Sequence, residues 1–133
     1  MSNLEIIIGE PYATMIRQKT NIRNLRALFK VGLTPEGRRS LAETTGISEE
    51  LILGWINLID LLRIKGIGQE YVGLLERAGM NTLQKLQQAD PESLYRQIIN
   101  MNASKKVVRR LPTQAMVRAW VEQARDLPQM VIY

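Results

Sequence analysis

Two glycines that bracket an isoleucine, Gly66-Ile67-Gly68, form the most chemically suggestive turn in this 133-residue chain. Glycine admits tight backbone geometry without a Cβ clash. The helix expected to open at Gln69 then starts with amide N–H groups that have no partner within the helix. Such a helix mouth attracts anions, phosphate above all. Contacts of this kind hold the nucleic-acid backbone and do not read base sequence. Lys65 lies one residue before the turn, and Lys105, Lys106, Arg109 and Arg110 form the densest basic cluster in the chain. On a short helical turn over 104–109, the pairs Lys105/Arg109 and Lys106/Arg110 would stack on one side as a phosphate clamp. The candidate nucleic-acid-binding set is therefore Lys65, Gly66, Ile67, Gly68, Gln69, Lys105, Lys106, Arg109 and Arg110. Glu70 opposes this reading, because a carboxylate near phosphate repels it. Arg23, Arg26 and Lys30, joined by Lys19, form a second basic stripe at helical spacing. Both basic groups also read as ordinary solvated surface.

The absent residue types restrict the chemistry further. The chain has no His and no Cys. This excludes disulfides, the usual zinc sites and catalysis by Ser-His or Cys-His pairs. The acids Glu43, Glu49 and Glu50 are explained as helix-start charges. A dinucleotide site fails for want of a third glycine and a preceding strand. We therefore expect no enzyme, no cofactor, no metal and no small-molecule substrate. Net charge is +5, distributed as +4 over residues 1–40, −3 over 41–101 and +4 over 102–133. Basic ends raise the prior for an acidic partner such as nucleic acid. No apolar run reaches the roughly 18 residues of a membrane span. The opening Met1-Ser2-Asn3-Leu4-Glu5 does not look like a signal peptide, and a cytoplasmic location is expected.

Helix punctuation and apolar period place the elements that must position these groups. They predict helices over 10–19, 23–31, 35–44, 49–61, 69–78, 82–89, 91–101 and 113–125. Thr34-Pro35-Glu36 and Asp90-Pro91-Glu92 read as N-caps followed by Pro at the first helical position, with Ser48 and Thr113 starting two more helices. Gly32, Gly46 and Gly79, each before an apolar residue, read as left-handed helix stops. The fold class is all-α.

Four blocks recur in order. Ile8-Gly9-Glu10-Pro11-Tyr12 aligns with Ile67-Gly68-Gln69-Glu70-Tyr71, and Asn24-Leu25 with Thr82-Leu83. Thr34-Pro35-Glu36 aligns with Asp90-Pro91-Glu92, and the segment around Trp55 with that around Trp120. This is the signature of a duplicated unit. We divide the chain into a degenerate N-terminal repeat over 1–47, a C-terminal repeat over 48–126 and an apolar tail over 127–133. Trp55 and Trp120 sit in apolar stripes and are expected in the core. The β-branched run from Leu4 to Ile8 and the tail are candidates for a short β pairing of the termini.

Residues 62–75 resemble the helix-hairpin-helix motif. In that family a Gly-apolar-Gly turn joins two helices, with the apolar residue, here Ile67, filling the gap between them. Residues 32–47, continuing to Trp55 and the hairpin, resemble a bacterial family of unknown function with tandem helix-hairpin-helix repeats. So does the stretch from Asn102 to Arg110 with Pro112-Thr113 and Trp120. The family is frequent in cyanobacteria, and the resemblance covers about residues 30–126. It implies two diverged repeats packed as one domain, and it implies no activity. DNA-binding helix-hairpin-helix motifs usually carry a basic residue after the second glycine, where this chain has Gln69-Glu70. Two functions follow as expectations. One is a non-catalytic module that binds duplex DNA, without sequence preference, through backbone phosphates. The other is a protein-interaction adaptor that uses the repeats only for packing and docks a partner through Met130, Val131, Ile132 and Tyr133.

Overall fold

Side-chain caps set most helix starts among the described residues, and those at Thr34, Ser48, Asp90 and Thr113 are the ones expected from the sequence. The computed structural model describes residues 4–105 and 108–133. Thr34 Oγ1 accepts from the Gly37 amide, Ser48 Oγ from Leu51, Thr82 Oγ1 from Lys85, Asp90 Oδ2 from Ser93 and Thr113 Oγ1 from Met116. Each such cap contributes about 1 kcal/mol by satisfying an amide the helix cannot. The elements are α1 (Leu4–Ile8), α2 (Glu10–Lys19), α3 (Leu25–Gly32), α4 (Pro35–Thr45), α5 (Glu49–Leu61), α6 (Gln69–Arg77), α7 (Leu83–Gln87), α8 (Pro91–Lys105) and α9 (Gln114–Asp126). The all-α expectation holds for the described residues, and α2 and α5 have the predicted bounds.

Three local expectations are corrected. The Leu4–Ile8 run is helical, and no strand occurs among the described residues. Leu4 and Ile8 lie one helical turn apart and are both buried, while Glu5 pairs with Arg17. Burial of that face outweighs the weak helix propensity of the isoleucines. Gly32 ends α3 as a helical, buried residue and not as a left-handed stop. A Cβ there would lie 2.3 Å from Ile56 Cδ1, so the glycine permits close packing of α3 on α5. Gly46 and Gly79 do take positive φ. Arg23 precedes the Asn24 cap of α3 and lies off the expected helical stripe; its guanidinium donates to the Thr20 and Ile22 carbonyls.

The chain forms two compact units. One runs to Asp60 and includes Gln129–Tyr133; the other is Leu61–Pro128. In the first, Tyr12 of α2 packs against Trp55 of α5 with ring centroids 5.1 Å apart. In the second, Tyr71 of α6 packs against Trp120 of α9 at 5.3 Å, and α7 and α8 both lie on α9. Trp55 and Trp120 are buried, as expected. Each aromatic pair adds about 1 kcal/mol beyond its burial. Element order recurs as well. Glycine precedes α2 and α6, a side-chain cap starts α3 and α7, proline opens α4 and α8, and α5 and α9 each span 13 residues.

Polar groups fix the second unit's helix ends. Gln87 Nε2 donates to the Ala124 carbonyl, Arg125 donates to the Gln87 and Ala89 carbonyls, and Gln97 Nε2 donates to the Ala78 carbonyl. These bonds tie side chains to carbonyls at or just past the ends of α6, α7 and α9, where the Ala124 carbonyl also accepts from the Leu127 amide.

Candidate nucleic-acid interface

The turn before α6 is built by burial on one side and backbone pinning on the other. Ile64 and Ile67 are buried, and their amides donate to the Leu61 and Ile64 carbonyls. Gly66 has φ +94, a conformation that favours glycine. Its Cα faces the indole of Trp120, and a Cβ would approach Trp120 Nε1 to 3.2 Å. Gln123 of α9 holds the residue before it from both sides. Its Oε1 accepts from the Lys65 amide at 3.0 Å, and its Nε2 donates to the Lys65 carbonyl at 3.1 Å. Gly68 differs from Gly66. Its φ is −94, and a Cβ there would meet nothing within 4 Å. Only the first glycine of the turn is demanded by backbone geometry.

Helix α6 starts without a side-chain cap, since its N-cap is Gly68. Its first internal bond runs from the Val72 amide to the Gly68 carbonyl. The amides of Gln69, Glu70 and Tyr71 therefore have no carbonyl of their own helix to donate to. Lys65, Gly66, Gly68 and Glu70 are exposed, Gln69 is half-buried and Ile67 is buried.

The segment after α8 is tied to this first turn. Asn102 Oδ1 accepts from the Val108 amide, and Val108 is buried. Next along the chain, the Arg109 amide donates to Glu70 Oε1 at 3.3 Å, and Tyr71 Oη donates to the Arg110 carbonyl at 3.0 Å. Arg109 and Arg110, both exposed, are thereby held beside the start of α6. An open groove of about 770 Å³ lies alongside, lined by Glu70, Ile99, Asn102, Val108, Arg109 and Leu111.

The expected helical turn over 104–109 is corrected at its described residues: α8 ends at Lys105, and Val108, Arg109 and Arg110 are non-helical. Val108 is buried and its amide donates to the Asn102 side chain, not to a helical carbonyl four residues back. Arg109 therefore does not follow Lys105 by one turn of a helix, and Lys106 lies outside the described residues. The structure brings together Gly66, Ile67, Gly68, Gln69, Arg109 and Arg110. Sequence reasoning missed Gln123, whose clamp on Lys65 leaves no local signature, and the Tyr71–Arg110 bond. It did treat Glu70 as purely repulsive, whereas this carboxylate also anchors the basic segment.

The tail is seated on the first unit. Val131 is fully buried, while Met130, Ile132 and Tyr133 are 41%, 57% and 54% exposed. Buried Arg38 donates to the Gly32 and Ile132 carbonyls, and the Ile132 amide donates to the Leu33 carbonyl. Tyr133 Oη donates to Asn57 Oδ1. Burial raises the Tyr133 phenol above its ordinary pKa and the Asp60 carboxylate adds to the rise, so it stays a neutral donor.

These features define a small all-helical domain with a tied basic segment at an uncapped helix start. The chain belongs to the family described as Domain of unknown function (DUF4332), whose model matches residues 7–127. No curated protein and no solved structure matches it. Among the described residues, no helix is long and apolar enough to cross a membrane, and no group of three or more acids is placed to hold a metal.

Proposed function

We propose that the chain is a non-catalytic tandem helix-hairpin-helix module that binds duplex nucleic acid through backbone phosphates, at the start of α6. One observation carries this reading: the tether of the 108–110 segment to Glu70 and Tyr71, which sets two exposed arginines beside uncapped amides. Amides supply short, directional donors, and guanidinium groups supply charge and bidentate reach. Such a site has no means to read base edges, so binding is sequence-tolerant. Two features support the tandem reading. Each unit carries an uncapped glycine start, at Gly9 and Gly68, and a Tyr–Trp pair. The first mouth is the poorer one, because Glu10 and Pro11 follow Gly9 and proline has no amide to donate.

The test is fluorescence anisotropy of the full chain with random-sequence duplexes at stepped salt. Binding is expected in the micromolar range, equal across sequences and falling steeply with salt. In Arg109→Ala/Arg110→Ala, the slope of log K against log salt should fall by about 1.8, roughly 0.9 for each phosphate no longer neutralised. An unchanged slope removes these arginines from the interface. The adaptor reading keeps one specific support, the exposure of Met130, Ile132 and Tyr133 around buried Val131. Recovery of a stable protein partner that disappears on removal of 127–133, with no duplex binding, would favour it.

A further inference from the structure

The tail is held by the chemistry with which proteins recognise extended peptides. Two of the bonds that hold it are made to its own main chain at a single residue: the Ile132 amide donates to the Leu33 carbonyl, and Arg38 Nη2 donates to the Ile132 carbonyl, at 2.8 and 2.7 Å. The preceding side chain, Val131, is the buried plug, and the following one, Tyr133, bonds to Asn57. Main-chain bonds on one residue with side-chain pockets on its neighbours are the logic of strand-like peptide capture. The receptor side is prebuilt. Arg38 is 5% exposed and already donates its other nitrogen to the Gly32 carbonyl, so its position does not depend on the tail alone. The seated segment is also short. Leu127 is extended, and Pro128, whose carbonyl accepts from Arg63, follows it, so two residues join α9 to residues 129–133.

We propose that this groove on the first unit is an exchangeable strap site, and that its second occupant is the tail of another copy of this chain. The same backbone bonds and the same Val131 pocket serve a tail donated from its own chain or from a neighbour, so exchange needs no new interaction. At low concentration the resident tail wins through its high effective concentration. At high concentration reciprocal exchange joins two copies. The groove selects an extended segment with a β-branched apolar residue two places before a tyrosine. This proposal does not rest on the phosphate-binding reading.

The probe is a synthetic peptide of the 127–133 sequence, labelled at its N-terminus and titrated into the full chain by anisotropy. In the full chain bearing Val131→Asp, a carboxylate cannot enter the pocket, the resident tail is expelled, and the peptide should bind at least tenfold tighter than to wild type. A peptide with the same Val-to-Asp change should bind neither chain. Equal affinity for both chains, or no binding to a Val131→Asp chain with wild-type circular dichroism, overturns the proposal. Should that variant unfold, Val131→Ala keeps the main-chain bonds and is expected to give a smaller gain in the same direction; no gain overturns it. Light scattering of wild-type protein up to millimolar concentration should show dimers that Val131→Ala weakens. A monomer throughout overturns the second-copy assignment.

Discussion

Replacing Gly66 or Gly68 by alanine separates two glycines that look alike in the sequence. Gly66 has φ +94, and its added Cβ would lie 3.2 Å from Trp120 Nε1. The left-handed backbone costs an L residue about 1–2 kcal/mol. The indole cannot retreat freely, because Trp120 is 1% exposed and packed on Tyr71. Displacing it by a few tenths of an ångström brings the total to about 2–3 kcal/mol. Gly68 has ordinary φ and open space around the missing Cβ. Alanine there loses about 0.5 kcal/mol as a poorer N-cap and recovers a similar amount by restricting the unfolded chain. Urea unfolding, followed by circular dichroism at constant m, should place the Gly66→Ala midpoint about 1 M below wild type and leave Gly68→Ala nearly unchanged. In thermal scans the first should lose about 6–10 °C. If Gly68→Ala destabilises as much as Gly66→Ala, the backbone assignment of this turn is wrong.

Other consequences are open to measurement. Arg38→Met removes two charge-assisted bonds to the Gly32 and Ile132 carbonyls and should cost about 3 kcal/mol by chemical denaturation. Gly32→Ala gains about 1 kcal/mol of helix propensity but sets a methyl 2.3 Å from Ile56 Cδ1; a net loss of about 1–2 kcal/mol is expected, and a stabilised protein would refute the close approach. Glu5 is held below the ordinary carboxylate range chiefly by its hydrogen bond from Arg17, and Asp90 chiefly by the Ser93 amide. A lowered folded-state pKa gives stability that is complete above the unfolded value and lost as pH falls through the folded one. The melting temperature should therefore be flat with respect to these groups above about pH 5 and drop below about pH 4, with a weaker acid dependence in Asp90→Ala.

Much of the fold was legible because its signals are local. Thr34, Asp90, Ser48 and Thr113 cap the helices they were expected to start, and the stripes around Trp55 and Trp120 point inward. What escaped depends on distant neighbours. Nothing near Gln123 announces that it clasps Lys65, 58 residues away. Arg38 looks like one more surface cation beside Arg39, yet it is buried because two carbonyls meet its guanidinium. Gly32 resembles a helix stop until Ile56 is seen against it. Leu4–Ile8 has strand-like composition, but its i,i+4 burial is a tertiary fact. At the candidate interface, the turn and Arg109 and Arg110 could be named from sequence. Their tether through Glu70 and Tyr71 could not, since it joins residues 39 positions apart.

The most direct test of phosphate capture at α6 is a ¹⁵N–¹H correlation spectrum of the labelled chain titrated with a short random duplex at low salt. The amides of Gly68, Gln69, Glu70 and Tyr71 are expected to shift together with those of Arg109 and Arg110, reversing when salt is added. Shifts confined to other helices, or none at a protein concentration of several hundred micromolar, would contradict it.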